Sequence, residues 1–208
     1  MPTTSPKRMS LIECVTALHA VRREEIVITT MGPAREWQQL AKHPLDFVLV
    51  PSSMGQATSL GLGMALARPD RKVVVCNGDG SMLMNLGSLV TISAQSPANL
   101  TVIVFDNGVY EVTGGQPTPA AAPLRHDVSA VNFGDLARAC GFRRVASFDQ
   151  IDAWREDVRR IIDEPGPTFV HLLVEPVLDA GLIGFPGPSP DRARTFRDQL
   201  MRAGSGRA

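Results

Sequence analysis

The chain has few cysteines and no excess of charge. Its three cysteines, Cys14, Cys76 and Cys140, are far apart and lack CxxC spacing. They therefore suggest neither a disulfide framework nor a zinc or iron–sulfur ligand set. They fall in helix and strand patterns, which marks them as buried, reduced thiols and predicts a cytoplasmic protein. Basic and acidic residues balance at 21 each, for a formal net charge of zero. That balance gives no electrostatic case for nucleic acid or an anionic membrane as partner. No apolar run approaches the roughly 20 residues of a membrane span. The opening MPTTSPKRMS has no apolar stretch behind its charges, which argues against a secretion signal.

What the chain does have is a core-forming composition. It has 208 residues, 44% of them hydrophobic and 20% charged, as expected for one domain with a real core. The boundaries read as a disordered tail over 1–9, a domain over 10–180, and a tail over 181–208 with a short helix near Asp191 to Met201. Helix and strand patterns alternate. Ser10 to Arg22 has helical spacing, with Ser10 and Glu13 in a capping-box arrangement. Strands are predicted at 25–29, 47–50, 72–76, 101–105 and 168–175, with a weaker one at 144–147. Helices are predicted around 33–41, 55–67, 84–94, 133–140 and 151–162, and a loop over 114–123. The alternation predicts a three-layer α/β/α fold with a mostly parallel sheet.

In such a fold ligands lie beyond the C-terminal strand ends. Three of those ends carry glycine and polar groups: Thr29 to Gly32, Gly78-Asp79-Gly80, and Asp106-Asn107-Gly108. Asp79 and Asn107 are separated by one helix and one strand, which brings a carboxylate and an amide oxygen to one rim. Mg2+ takes oxygen ligands, a few from protein and others from phosphate. Gly78, Gly80 and Gly108 permit close backbone approach, and the N–H groups of the helix start at Gly80 and Ser81 favour an anion. A dinucleotide-binding Rossmann site would need G-x-G-x-x-G after the first strand. The sequence MGPARE there does not supply it.

The pair of boxes GDG and DNG resembles the diphosphate-binding signature of thiamine diphosphate enzymes. That family often has Asn-Asn in the second box, where this chain has Asp106-Asn107. The resemblance implies a thiamine diphosphate-binding (PP-type) fold, with thiamine diphosphate and Mg2+ as cofactors. It implies metal binding by the side chains of Asp79 and Asn107 and by the Val109 carbonyl. Met54, in PSSMGQATSLGLGMALA, matches the bulky apolar residue that wedges under the cofactor and bends it into a V. By the same match the Ser52 carbonyl meets the 4'-amino group, and Thr30 and Gly32 contact the diphosphate. In this family a separate pyrimidine-binding domain brings an essential Glu, and this chain has room for only one domain. The resemblance therefore implies a half-site subunit of a hetero-oligomer, whose partner alpha subunit carries the pyrimidine-binding domain and the catalytic Glu.

The stretch DNGVYEVTGGQPTP is similar to sulfopyruvate decarboxylase beta subunits and to phosphonopyruvate decarboxylases. This implies decarboxylation of a short 2-oxo acid with an anionic tail to CO2 and an aldehyde. Tyr110, Glu111, Thr113 and Gln116 are then the candidate catalytic contacts, with Tyr110 also against the cofactor. Against this stand a packed Tyr110 and a solvated Glu111. Arg125 and His126 are a candidate donor pair for the tail, or else part of a solvated loop. His19, His43 and His171 read as lying away from the rim. Two alternatives remain open: a carboligase of the acetolactate synthase kind, and a non-catalytic regulatory subunit. A TGGQ box also occurs in 2-oxoacid:ferredoxin oxidoreductases, but the scattered cysteines argue against electron transfer.

Overall fold

The computed structural model describes residues 8–49, 54–121, 130–177 and 187–202. The elements run in chain order as α1 (Leu11–Val21), β1 (Ile26–Thr30), α2 (Met31–Trp37), β2 (Asp46–Leu49), α3 (Ala57–Ala67), β3 (Val73–Gly78), α4 (Asp79–Leu83), α5 (Gly87–Gln95) and β4 (Leu100–Asp106). After β4 come β5 (Val109–Tyr110), β6 (Gln116–Pro117), α6 (Phe133–Ala139), β7 (Arg144–Phe148), α7 (Ile151–Asp163), β8 (Thr168–Leu173) and α8 (Ser189–Arg202). The main sheet has the order β2-β1-β3-β4-β8-β7, and every pairing in it is parallel.

Sequence pattern explains the layers. Residues 73 to 76 of β3 are all buried, because a central parallel strand is covered on both faces. Val73 and Val75 join a core with Leu62, Leu89, Phe133 and Phe169. Val74 and Cys76 join the opposite core with Leu18, Trp37, Trp154 and Val158. Leu11, Cys14, Val15 and Leu18 bury one stripe of α1, at the i, i+3, i+4, i+7 spacing of an amphipathic helix. The Trp154 indole N–H donates to the Cys14 carbonyl at 3.0 Å, which ties α7 to α1.

Four expectations are corrected. Ser10 sits at the α1 N-cap without a side-chain cap bond, and Glu13 instead pairs with Arg155 at 3.0 Å. The helix expected over 84–94 begins only at Gly87 and is preceded by the short α4. Asn85 turns back to donate to the Gly55 carbonyl at 3.1 Å, in the turn between the two helices. The stretch expected to be a loop contains β6, which pairs antiparallel with β5 around a single 3-10 turn. The regions set aside as tails also include packed residues. Arg8 donates to the carbonyls of Asp106 and Val174 at 2.7 and 3.0 Å, and Met9 is buried against β8. Likewise α8 seats Phe196 against Phe47 of β2, with ring centroids 5.0 Å apart.

The chain moves from β1 outward to β2 and then crosses back to β3 on the other side of β1. This reversal is the switch point at which doubly wound sheets open a crevice. Helix α3 must lie close to the sheet beside it, and Gly61 makes that possible: a Cβ there would fall 2.2 Å from Val75 Cγ2. Gly63, on the same helix, has open space around its Cβ position. Gly61→Ala is therefore expected to destabilise the chain by about 1–3 kcal/mol through overpacking. Gly63→Ala is expected to be neutral or to stabilise by up to about 1 kcal/mol, from helix propensity alone. Urea unfolding of both variants checks the contrast.

Candidate active site

The rim forms where β1, β3 and β4 end side by side. Gly78 pairs with Phe105 across β3 and β4, so Asp79 and Asp106 are the next residues on adjacent strand ends. Both are buried, at 1% and 8% exposure. Asp106 meets His171 Nε2 at 2.9 Å. His171 is thus not remote, as expected, but reaches from β8 to the rim and partners this extra carboxylate. Asp79 receives the Thr118 hydroxyl at 3.3 Å and the backbone N–H groups of Gly80 and Asn107. These donors do not offset its burial. Desolvation, and then the Asp106 charge, push the Asp79 carboxyl up to about 7. A divalent cation at this point would supply the missing positive charge, so the residues present fit one.

Asn107 lies beside Asp79. Its Nδ2 donates to Glu111 Oε1 at 2.8 Å, and its Oδ1 accepts from the Val109 N–H at 2.9 Å. An amide oxygen has two lone pairs, so one remains for a metal. Glu111 is not solvated. Its side chain is 10% exposed, and it also accepts from Arg35 Nη1 at 3.2 Å and the Val177 N–H at 2.8 Å.

The cleft in front of these groups has a volume of about 170 Å3, and its lining includes Gly32, Met54, Gly78, Asp79, Asn107 and Thr113. Two non-glycine residues on its wall hold left-handed backbone angles, Met31 at φ 57° and Met54 at φ 45°. Such strain concentrates at functional sites. Met54 stands 61% exposed over the cleft. Gly55 behind it, at φ +85°, donates its N–H to Ser81 Oγ at 3.1 Å, so the Ser81 hydroxyl positions this turn. A Cβ on Gly80 would fall 2.7 Å from two carbons of the Tyr110 ring. Glycine at this position therefore lets Tyr110 lie against the start of α4.

The structure thus brings together Gly32, Met54, Gly78, Asp79, Gly80, Ser81, Asn107, Val109, Tyr110, Glu111 and Thr113 as lining of one cleft. Thr30 is fully buried at the end of β1. Thr113 and Gln116 bond to each other at 3.0 Å, and Gln116 is not among the lining residues. Ser52, Arg125 and His126 lie outside the described residues. Sequence reasoning missed Thr118, His171 and Met31. Thr118 reaches Asp79 only because β6 folds back on β5, and no local pattern announces that.

The model of the thiamine pyrophosphate enzyme C-terminal TPP binding domain matches residues 31–172. A phosphonopyruvate decarboxylase of Streptomyces viridochromogenes is 40% identical over 92% of this chain, which spans 46% of that protein. A sulfopyruvate decarboxylase subunit beta of Methanothermobacter thermautotrophicus is 38% identical over 79% of this chain and 82% of that protein. Among solved structures, the thiamine diphosphate-dependent 4-hydroxybenzoylformate decarboxylase of Rhodococcus jostii superposes with a TM-score of 0.65 at 16% identity. That superposition covers 87% of this chain and 35% of that one.

The raised Asp79 pKa has a definite sign. Between the ordinary carboxyl value of 3.8 and about 7, the folded chain keeps a proton that the unfolded chain has released. Without a cation, stability therefore falls as pH rises across that window. Asp79→Asn is expected to flatten the slope and raise the melting temperature by a few degrees at pH 8 in EDTA. The same variant is expected to remove any rise in melting temperature that Mg2+ gives the unmodified chain. Thermal unfolding at pH 5 and pH 8, with EDTA and with Mg2+, measures both effects.

Proposed function

The chain belongs to the thiamine pyrophosphate enzymes through their C-terminal TPP-binding domain, and on that premise we propose that it is the diphosphate-binding subunit of a heteromeric 2-oxo acid decarboxylase. The substrate class is a short 2-oxo acid with an anionic tail, of the sulfopyruvate or phosphonopyruvate type. The observation that carries this reading is the buried Asp79, adjacent to Asn107 and facing the strained, exposed Met54 across one cleft.

Thiamine diphosphate, when bound, supplies a carbon nucleophile and an electron sink for loss of CO2. The chain's own residues hold and shape. Asp79 and Asn107, with the Val109 carbonyl, would hold Mg2+ against the diphosphate. Thr30, Gly32, Gly78, Gly80 and Ser81 would present backbone to the diphosphate. Met54 would support the bent cofactor from below, and Tyr110 would wall the cleft beside Gly80. Burial of the Asp79 carboxylate next to Asp106 makes the unloaded site electrostatically costly, which favours the cation-bound form.

The partner is a separate subunit with the pyrimidine-binding domain and the activating Glu. The beta-subunit names of several relatives support this. A cytoplasmic setting belongs to the same reading. The Cys14 thiol is pushed up to about 12 by burial, and Cys76 is also raised, so both stay protonated and inert.

The test is release of CO2 from sulfopyruvate, phosphonopyruvate and pyruvate, with thiamine diphosphate and Mg2+ present. It is run on the chain alone and on the chain co-expressed with a co-encoded pyrimidine-domain subunit. Turnover only in the co-expressed sample, with a preference for an anionic-tailed substrate, is the expected result. Equal turnover by the chain alone, or a carbon–carbon ligated product in place of CO2 and aldehyde, would refute the reading.

A further inference from the structure

Glu111 occupies an unusual place for a carboxylate. It starts the single 3-10 turn after β5 and joins three separate segments. Oε1 accepts from Asn107 Nδ2 and from the Val177 N–H, both at 2.8 Å. Oε2 accepts from Arg35 Nη1 at 3.2 Å, and Arg35 Nε is in turn held by Glu36 at 2.8 Å. Asn107 belongs to the β4 exit, Arg35 to α2 after β1, and Val177 to the segment after β8. One carboxylate thus ties the exits of three strands at the rim.

The chemistry of that contact fixes an orientation. An ionised carboxylate can only accept hydrogen bonds. The Asn107 amide must therefore turn its NH2 toward Glu111, which places its oxygen on the other side. There Oδ1 takes one bond from the Val109 N–H at 2.9 Å and keeps a lone pair. Without Glu111, only the Val109 N–H would oppose a half-turn of the amide that presents NH2 where a cation is to bind. Partners behind metal ligands set ligand orientation in this way, and their loss typically costs about 10–100-fold in metal affinity.

We propose that Glu111 is a positioning residue for the metal centre: it sets the Asn107 amide so that oxygen rather than nitrogen faces the cation, and through Arg35 and Val177 it locks the loop that carries this ligand. This role rests on the proposed Mg2+ and thiamine diphosphate site. It replaces the catalytic-contact role that the sequence resemblance implies for Glu111. Because the carboxylate is engaged by Asn107, Arg35 and Val177, it is not placed as a proton donor to substrate.

The test uses the co-expressed complex and measures the Mg2+ concentration for half-maximal thiamine diphosphate binding, by titration calorimetry, with melting temperature in EDTA recorded alongside. Glu111→Leu is expected to raise that concentration by about 10–100-fold. Glu111→Gln keeps an oxygen toward Asn107 and Val177 but turns its NH2 to Arg35, so it is expected to raise that concentration by less than Glu111→Leu does. A donor–acceptor swap gives the sharper readout. Asn107→Asp puts a carboxylate against Glu111, and adding Glu111→Gln to it supplies an amide donor. The double variant is expected to bind Mg2+ more tightly than Asn107→Asp alone. This reversal does not require Glu111→Leu to fold. A merely structural Glu111 would lower the melting temperature without changing the Mg2+ requirement and without the swap rescue, and that result overturns the inference. A wild-type complex that binds no thiamine diphosphate with Mg2+ overturns the cofactor reading itself, and the inference with it.

Discussion

All six strands of the main sheet run in the same direction, so the helices that return the chain must lie on its two faces. The site depends on this constraint. It puts every C-terminal strand end on one edge, and the switch between β1 and β3 separates the flanking helices there. Thr30, Gly78 and Asp106 end adjacent strands, and the residues just beyond each strand end are free to bend toward a common point. The cores on the two faces hold this geometry. Apolar residues alternate along β3 into one layer and then the other, and the strand has no freedom to slip in register without exposing one set.

At that edge the chain does something unfavourable for stability alone. It buries Asp79 and Asp106 on neighbouring strand ends. The His171 ring matches Asp106, while Asp79 has hydrogen-bond donors and a pKa raised by burial. Two non-glycine residues on the cleft wall, Met31 and Met54, hold left-handed backbone angles. The surrounding packing supports both features. Gly55 is pinned by Ser81 and Asn85, and the loop after β4 is held from behind by Arg8 and from the side by Glu111. Unfavourable charge and backbone strain thus sit where ligand binding would relieve or use them.

The other walls of the cleft divide the labour between packing and polarity. Tyr110, the chain's one tyrosine, packs its ring against Gly80, so the glycine is required sterically as well as for backbone approach. Thr118 comes from the far arm of the small β5–β6 hairpin to reach Asp79. The hairpin is therefore part of the site and not a spacer between α/β units. The packing of α8 through Phe196 and Leu200 likewise makes the C-terminal helix part of the domain core.

Much of this was legible in the sequence, for identifiable reasons. The alternating apolar runs specify a parallel sheet because buried strands and amphipathic helices have different periods. The glycine-flanked Asp79 and Asn107 mark strand exits because few other residues suit such turns, and family spacing linked them to Met54. What the sequence left undecided were partners distant along the chain. The pairing of His171 with Asp106, the reach of Thr118 to Asp79, and the bonding of Glu111 to Arg35 and Val177 each join residues at least 39 positions apart. Glu111 read as solvated because a charged residue after a turn usually is. Only tertiary structure surrounds it with three donors, and a carboxylate so engaged takes its role from the groups that fold around it.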